Sequence, residues 1–191
     1  MGKQRVFIIH GWEATPYSNW FPWLAKELKN RGFEVVAPQM PNANYPKQAE
    51  WLEYLQEIVG QADEQTFLVG HSLGVIAILR YLEALPLKQQ VGGAVLVAGF
   101  SEFIEFEGSE EISNFFTKPL DYQKVKKSAK QFVVISSDDD PFVPIEGGEI
   151  MRDKLGAKLI VMSGCGHLNA GNGFFELPEA LEALLIMAKK Q

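Results

Sequence analysis

The stretch Thr66-Phe67-Leu68-Val69-Gly70-His71-Ser72-Leu73-Gly74 runs directly into residues 75–85, which are apolar nearly all round. A short β-branched apolar run reads as a buried strand, and an all-round apolar segment of this length as a deeply packed helix. Between them, Gly70-x-Ser72-x-Gly74 is a G-x-S-x-G pattern in strand–turn–helix context. That context places a serine on a sharp, strained turn with its hydroxyl exposed, and small flanking residues let strand and helix approach closely. The helix N-terminus then aims backbone amides at negative charge developing beside the serine. Ser72 is therefore read as a nucleophile rather than an ordinary helix cap.

Working outward, five more runs of the same kind flank this one, giving strands at 5–9, 33–37, 66–69, 94–98, 132–136 and 158–162. Their starts lie 28, 33, 28, 38 and 26 residues apart, close to the roughly 30 residues that a strand, crossover helix and return strand need. Unbroken apolar strands are buried on both faces, which is the mark of a parallel sheet. The intervals carry helical spacing: Trp20, Trp23, Leu24 and Leu28; Trp51, Leu52, Leu55, Ile58 and Val59; and Leu181, Leu184, Leu185 and Met187 after Pro178. Alternation of strand and helix throughout predicts one α/β domain spanning residues 1–191, with about six mostly parallel strands and helices on both faces.

In such a sheet, ligands bind beyond the carboxyl ends of the strands. A serine hydroxyl needs a base there, and a third group orienting that base. Of the three histidines, His71 is held beside Ser72 by the backbone, and His10 lies in the turn after the first strand. His167, in Ser163-Gly164-Cys165-Gly166-His167 after the last strand, is free to reach back and is the expected base. The acid is sought in Asp138-Asp139-Asp140-Pro141, after the fifth strand. Three adjacent carboxylates repel, so at least two should face solvent or local backbone donors. Asp140 is preferred because Pro141 fixes the turn after it, with Asp139 as the alternative and Asp138 behind both. The chain order Ser, Asp, His is that of α/β-hydrolases.

The oxyanion hole is expected from the backbone N–H of Leu73 and the N–H of Trp12, in His10-Gly11-Trp12-Glu13. His10, Gly11, Trp20 and Phe100 are the candidate pocket residues. Residues 99–120, with Phe100, Phe103, Phe106, Phe115, Phe116 and Gly108, form an irregular interval too short for a cap domain. It reads either as a surface excursion that buries its aromatics or as a partial flap. Cys165 is read as an incidental small residue.

Composition narrows the function classes. The 191 residues are 47% hydrophobic and 22% charged, with 18 basic against 24 acidic residues and a net charge of −6. There is no basic stripe for phosphate backbones, so nucleic acid is not an expected partner. Lys124, Lys126, Lys127 and Lys130 read as a solvated helix face. The single cysteine allows no internal disulfide, and the histidines show no ligand cluster, so neither metal nor organic cofactor is expected. No apolar stretch approaches the ~20 residues of a bilayer span, and Val6 stands where a myristoylation signal wants Ser or Thr. The expected location is cytoplasmic, without membrane association.

Residues 7–12, 19–24, 70–74, 78–82, 139–144 and 164–167, with Gly99-Phe100-Ser101, resemble the small serine hydrolases of the retinoblastoma-binding-protein type, which have YdeN-like bacterial members. The resemblance spans almost the whole chain. It implies a three-layer α/β-hydrolase fold with no cap domain, a sheet lacking the usual first two antiparallel strands, and a Ser72–Asp140–His167 triad. The partner motif L-x-C-x-E associated with the animal relative is absent, so no protein partner is carried over. The expected function is hydrolysis of carboxylic esters through an acyl-enzyme, with a small-molecule ester as substrate. The alternatives are a catalytically weak binding protein on the same fold, or a thioesterase or amidase using the same residues.

Overall fold

Alternate residues of each central strand face opposite layers, and the two layers need different partners. In β1 (Arg5–Ile9), Phe7 and Ile9 join a core with Trp51, Leu55 and the long apolar helix, while Val6 and Ile8 join a second core with Leu24, Leu28 and Leu184. The computed structural model describes residues 2–189. After β1 come α1 (Phe21–Asn30), β2 (Glu34–Val36), α2 (Gln48–Val59), β3 (Thr66–His71), α3 (Leu73–Ala84) and β4 (Gly93–Val97). They are followed by α4 (Tyr122–Lys127), β5 (Phe132–Ser137), α5 (Ile145–Leu155), β6 (Lys158–Met162) and α6 (Pro178–Lys189).

The six strands lie in the order β2-β1-β3-β4-β5-β6, and every pairing is parallel. β3 and β4 are buried along their whole length, whereas β6 at the edge has only exposed and half-buried residues. The strand order reverses between β1 and β3, so the crevice of such a sheet opens beyond their carboxyl ends. His10-Gly11-Trp12 follows one of those ends and Ser72 the other.

The apolar helix α3 is buried at every position from Leu73 to Leu82, Arg80 included. Arg80 is tolerated there because it is fully engaged. Its guanidinium donates to the carbonyls of Phe115 and Lys118 and pairs with Glu83 at 3.0 Å. Those bonds seat the interval after β4 on the helix that carries Ser72 at its start. The interval holds a 3₁₀ helix, Ser109–Phe116, that buries Ile112 and Phe115. Helix α5 has weak sequence periodicity because Gly147 and Gly148 interrupt it. Gly148 is required by space, since a Cβ there would run into Ser136 Oγ. Among the described residues, no helix is long and apolar enough to cross a membrane.

Candidate active site

Ser72 sits between β3 and α3 with φ 53° and ψ −121°. This conformation costs a non-glycine residue about 1–3 kcal/mol and persists only where its surroundings over-determine it. Here they do. The Ser72 N–H donates to Val97 O at 3.0 Å, and its carbonyl accepts from Val75 N at 3.0 Å. Both flanking glycines are spatial necessities: a Cβ at Gly70 would lie 2.8 Å from Gly74 O, and one at Gly74 would strike the Ile9 carbonyl. The start of α3 thus packs against the end of β1 with no room for a methyl group. Gly11 closes the other side, where a Cβ would stand 3.0 Å from Ser72 Cβ. The Ser72 hydroxyl makes no hydrogen bond among the described residues. The N–H groups of Trp12 and Leu73 likewise have no acceptor among them.

The three aspartates divide three tasks. Asp140 Oδ2 accepts from His167 Nδ1 at 2.8 Å, and its side chain is only 1% exposed. Its other oxygen accepts the N–H groups of Phe142 and Val143 at 2.9 and 3.1 Å, closing the turn that begins at Pro141. Asp139 faces the histidine loop instead: Oδ1 accepts from Ser137 Oγ and from Gly166 N, both at 2.7 Å. Asp138 holds the same loop further out, through Gly164 N at 2.9 Å and Ser163 Oγ at 2.8 Å. These bonds hold the Asp138 and Asp139 carboxyls below the usual carboxylate range: for Asp138 the Gly164 N–H leads, for Asp139 the Ser137 hydroxyl. The acid alternative at Asp139 therefore finds its carboxylate bonded to Ser137 Oγ and to the loop amide of Gly166, with no hydrogen bond to the imidazole among the described residues.

His167 rides on a loop with left-handed backbone at Gly164, Gly166 and Leu168. Its N–H donates to Asn172 Oδ1 at 3.0 Å. Its carbonyl accepts from His71 Nε2 at 2.9 Å, and the two imidazoles lie 4.8 Å apart, centre to centre. His71 immediately precedes Ser72, so this bond ties the serine turn to the histidine loop. Burial foremost, and then the charge that His167 can carry, push His71 down to about 3, against the opposing effect of its bond to the His167 carbonyl. His71 is thus a neutral Nε2–H donor throughout the working pH range. With Nδ1–H of His167 given to Asp140, Nε2 is the ring nitrogen left to take a proton.

Three of the four candidate pocket residues are corrected. Trp20 is fully buried; its Nε1–H donates to Leu168 O at 3.0 Å, so it braces the histidine loop from behind. His10 is 1% exposed: its Nδ1–H donates to Gly11 O at 2.7 Å and its Nε2 accepts from Met40 N at 2.9 Å. It pins the oxyanion loop to the chain after β2, and burial lowers its basicity. Phe100 is 2% exposed and stacks on Phe116 at 5.5 Å inside the core. All three are drawn inward by apolar area or by an internal carbonyl, leaving Gly11 as the candidate that borders Ser72. Phe142, which the sequence reading passed over, and Phe106, from the interval read as a possible flap, instead stand beside the site. Phe142 lies 5.2 Å from the His167 ring, and Phe106 lies 6.3 Å from Phe142 and 6.4 Å from Trp12. The interval after β4 is thus both an excursion that buries aromatics and a wall beside the site. The signal for Phe142 was a bulky apolar residue in a turn one position beyond Pro141. Cys165 is half-buried, and burial, followed by the nearby Asp139 charge, pushes its thiol up, so it is no thiolate.

A strained serine at a strand–helix turn, an imidazole held by a buried carboxylate and two spare amides define a serine hydrolase on an open parallel α/β sheet. The serine hydrolase family model matches residues 6–185, and the chain belongs to that family. The Bacillus subtilis (strain 168) protein YdeN is 36% identical over 188 residues, covering 98% of each chain. The crystal structure of that gene product superposes with a TM-score of 0.91 over 97% of this chain and 98% of the other. Serine hydrolase RBBP9 of Rattus norvegicus is 31% identical over 170 residues, covering 88% of each chain. Est1E from Butyrivibrio proteoclasticus, solved with ferulic acid, shares the fold with a TM-score of 0.76 at 14% identity, over 98% of this chain and 90% of its own.

Proposed function

We propose that this serine hydrolase cleaves carboxylic esters through an acyl-enzyme on Ser72. His167 Nε2 takes the serine proton as Oγ attacks the carbonyl carbon, and the N–H groups of Trp12 and Leu73 receive the negative oxygen. Asp140 holds the imidazole in the Nδ1–H tautomer and stabilises its charged form. The proton then passes to the departing alkoxide as the acyl carbon–oxygen bond breaks. Water, deprotonated by the same imidazole, releases the acid. The observation that carries this reading is the 2.8 Å contact between His167 Nδ1 and the buried Asp140 carboxylate, on a loop tied to His71, the residue before Ser72.

Labelling with a fluorophosphonate, read by intact mass and peptide mapping, is the direct test. One adduct on Ser72 is expected, absent in Ser72→Ala, with ester turnover falling roughly 10⁴-fold or more in that variant. A folded wild type that takes no label would favour a binding protein instead. A labelled enzyme that turns over thioesters or amides in preference to oxygen esters would move the substrate class.

A further inference from the structure

Phe142 is 47% exposed and belongs to neither hydrophobic core. It is nevertheless held in place: its N–H donates to Asp140 Oδ1 at 2.9 Å, the same carboxylate whose other oxygen orients His167. Its ring meets His167 edge-on, at 5.2 Å and 75°. From there a row of rings continues through Phe106 to Trp12. Trp12 is fixed in turn, with Nε1–H donating to Asn44 O at 3.0 Å and its indole lying against Gly108, where a Cβ would come within 2.9 Å. A half-exposed phenyl ring on a hydrogen-bonded turn adds nothing to the core, yet it lies edge-on against the imidazole. Such a ring is placed to meet a ligand.

The imidazole that takes the serine proton also gives it to the departing alcohol, so that alcohol must leave alongside His167. The ring leaning on His167 is that of Phe142. We infer that the surface formed by Phe142 and Phe106 receives the alcohol half of the substrate, and that this enzyme prefers esters of flat apolar alcohols. The inference rests on the ester reading above and deepens it. No bond changes beyond those already described; the rings stack on or edge against the alcohol, whose oxygen takes the proton from Nε2.

The test uses two short ester series with the full-length protein. One keeps the acetyl group and varies the alcohol: ethyl, cyclohexylmethyl and benzyl, which are alcohols of similar acidity. The other keeps ethanol and varies the acid: acetate and 3-phenylpropanoate. Wild type, Phe142→Ala and Phe142→Leu are compared by kcat and KM for each ester. The wild type should favour benzyl over ethyl acetate. Phe142→Ala should lower that ratio about three- to tenfold, through KM, as expected for one lost aromatic pair, with Phe142→Leu between the two. An equal loss on every ester, carried by kcat, would mean that Phe142 only shields the Asp140–His167 pair and would overturn the inference alone. A loss that follows the acyl series would overturn it too. A wild type inert on all four esters would sink the ester reading together with the inference.

Discussion

The turn that carries Ser72 and the loop that carries His167 are held by opposite means. Around Ser72 the determinants are steric: Gly70, Gly74 and Gly11 each occupy a position where a methyl group would meet backbone or the serine itself. Around His167 they are polar: Asp138, Asp139, Asn172 and His71 supply side-chain hydrogen bonds to a backbone that forms no strand or helix there. The difference follows from location. At the Ser72 turn the serine's own amide and carbonyl are bonded to Val97 and Val75, so close packing is left to define the rest. A loop leaving an edge strand has unpaired amides, and carboxylates are the acceptors that order them most strongly.

The largest expected effect is on the polar side. Asp140→Asn keeps an oxygen for Phe142 and Val143 but turns an amide N–H toward His167 Nδ1, favouring the wrong tautomer; kcat should fall roughly 10⁴-fold with the fold intact by circular dichroism. Asp139→Asn, which retains an acceptor for Gly166, should stay within about tenfold of wild type. Equal losses would collapse the distinction between the carboxylate on the imidazole and the one on the loop. The steric side breaks differently. Gly74→Ala, normally favourable inside a helix, should cost about 3 kcal/mol or more in denaturant unfolding, because its methyl group meets the Ile9 carbonyl. A neutral outcome would show that α3 can shift away from β1.

The smallest effect sharpens the link between the two regions. His71 is neutral when folded and titrates near 6.5 when unfolded, so the unfolded chain binds the extra proton as pH falls. Its contribution is complete above about pH 6.5 and is lost progressively toward pH 3. Between pH 6.5 and 4.5 that amounts to about 2 kcal/mol. His71→Gln should flatten the stability profile over that window relative to wild type. An unchanged slope would mean that His71 is not the group linking acid to unfolding.

The layered architecture was legible because each apolar run is continuous and the spacing between runs suits one crossover apiece. Ser72 was legible because its pattern falls where strand turns into helix. Helix α5 was not, since two glycines erase its periodicity, one of them, Gly148, for a packing reason that lies in β5. Trp20, His10 and Phe100 were misplaced because side-chain direction at a helix start or beyond a strand end depends on which carbonyl or ring stands opposite, and those partners come from distant segments. For the same reason the pairing of Phe142 with His167 had no local signature.

By itself, the order of residues determined a parallel sheet, the turn that bends at Ser72 and the short list of groups able to do acid–base chemistry, because all of these are encoded in neighbours along the chain. Which of three adjacent carboxylates meets the imidazole, which rings retreat into the core and which line the rim were decided only by tertiary structure. Each of those outcomes is a competition for a hydrogen-bond donor or an apolar face supplied by a segment far away in sequence.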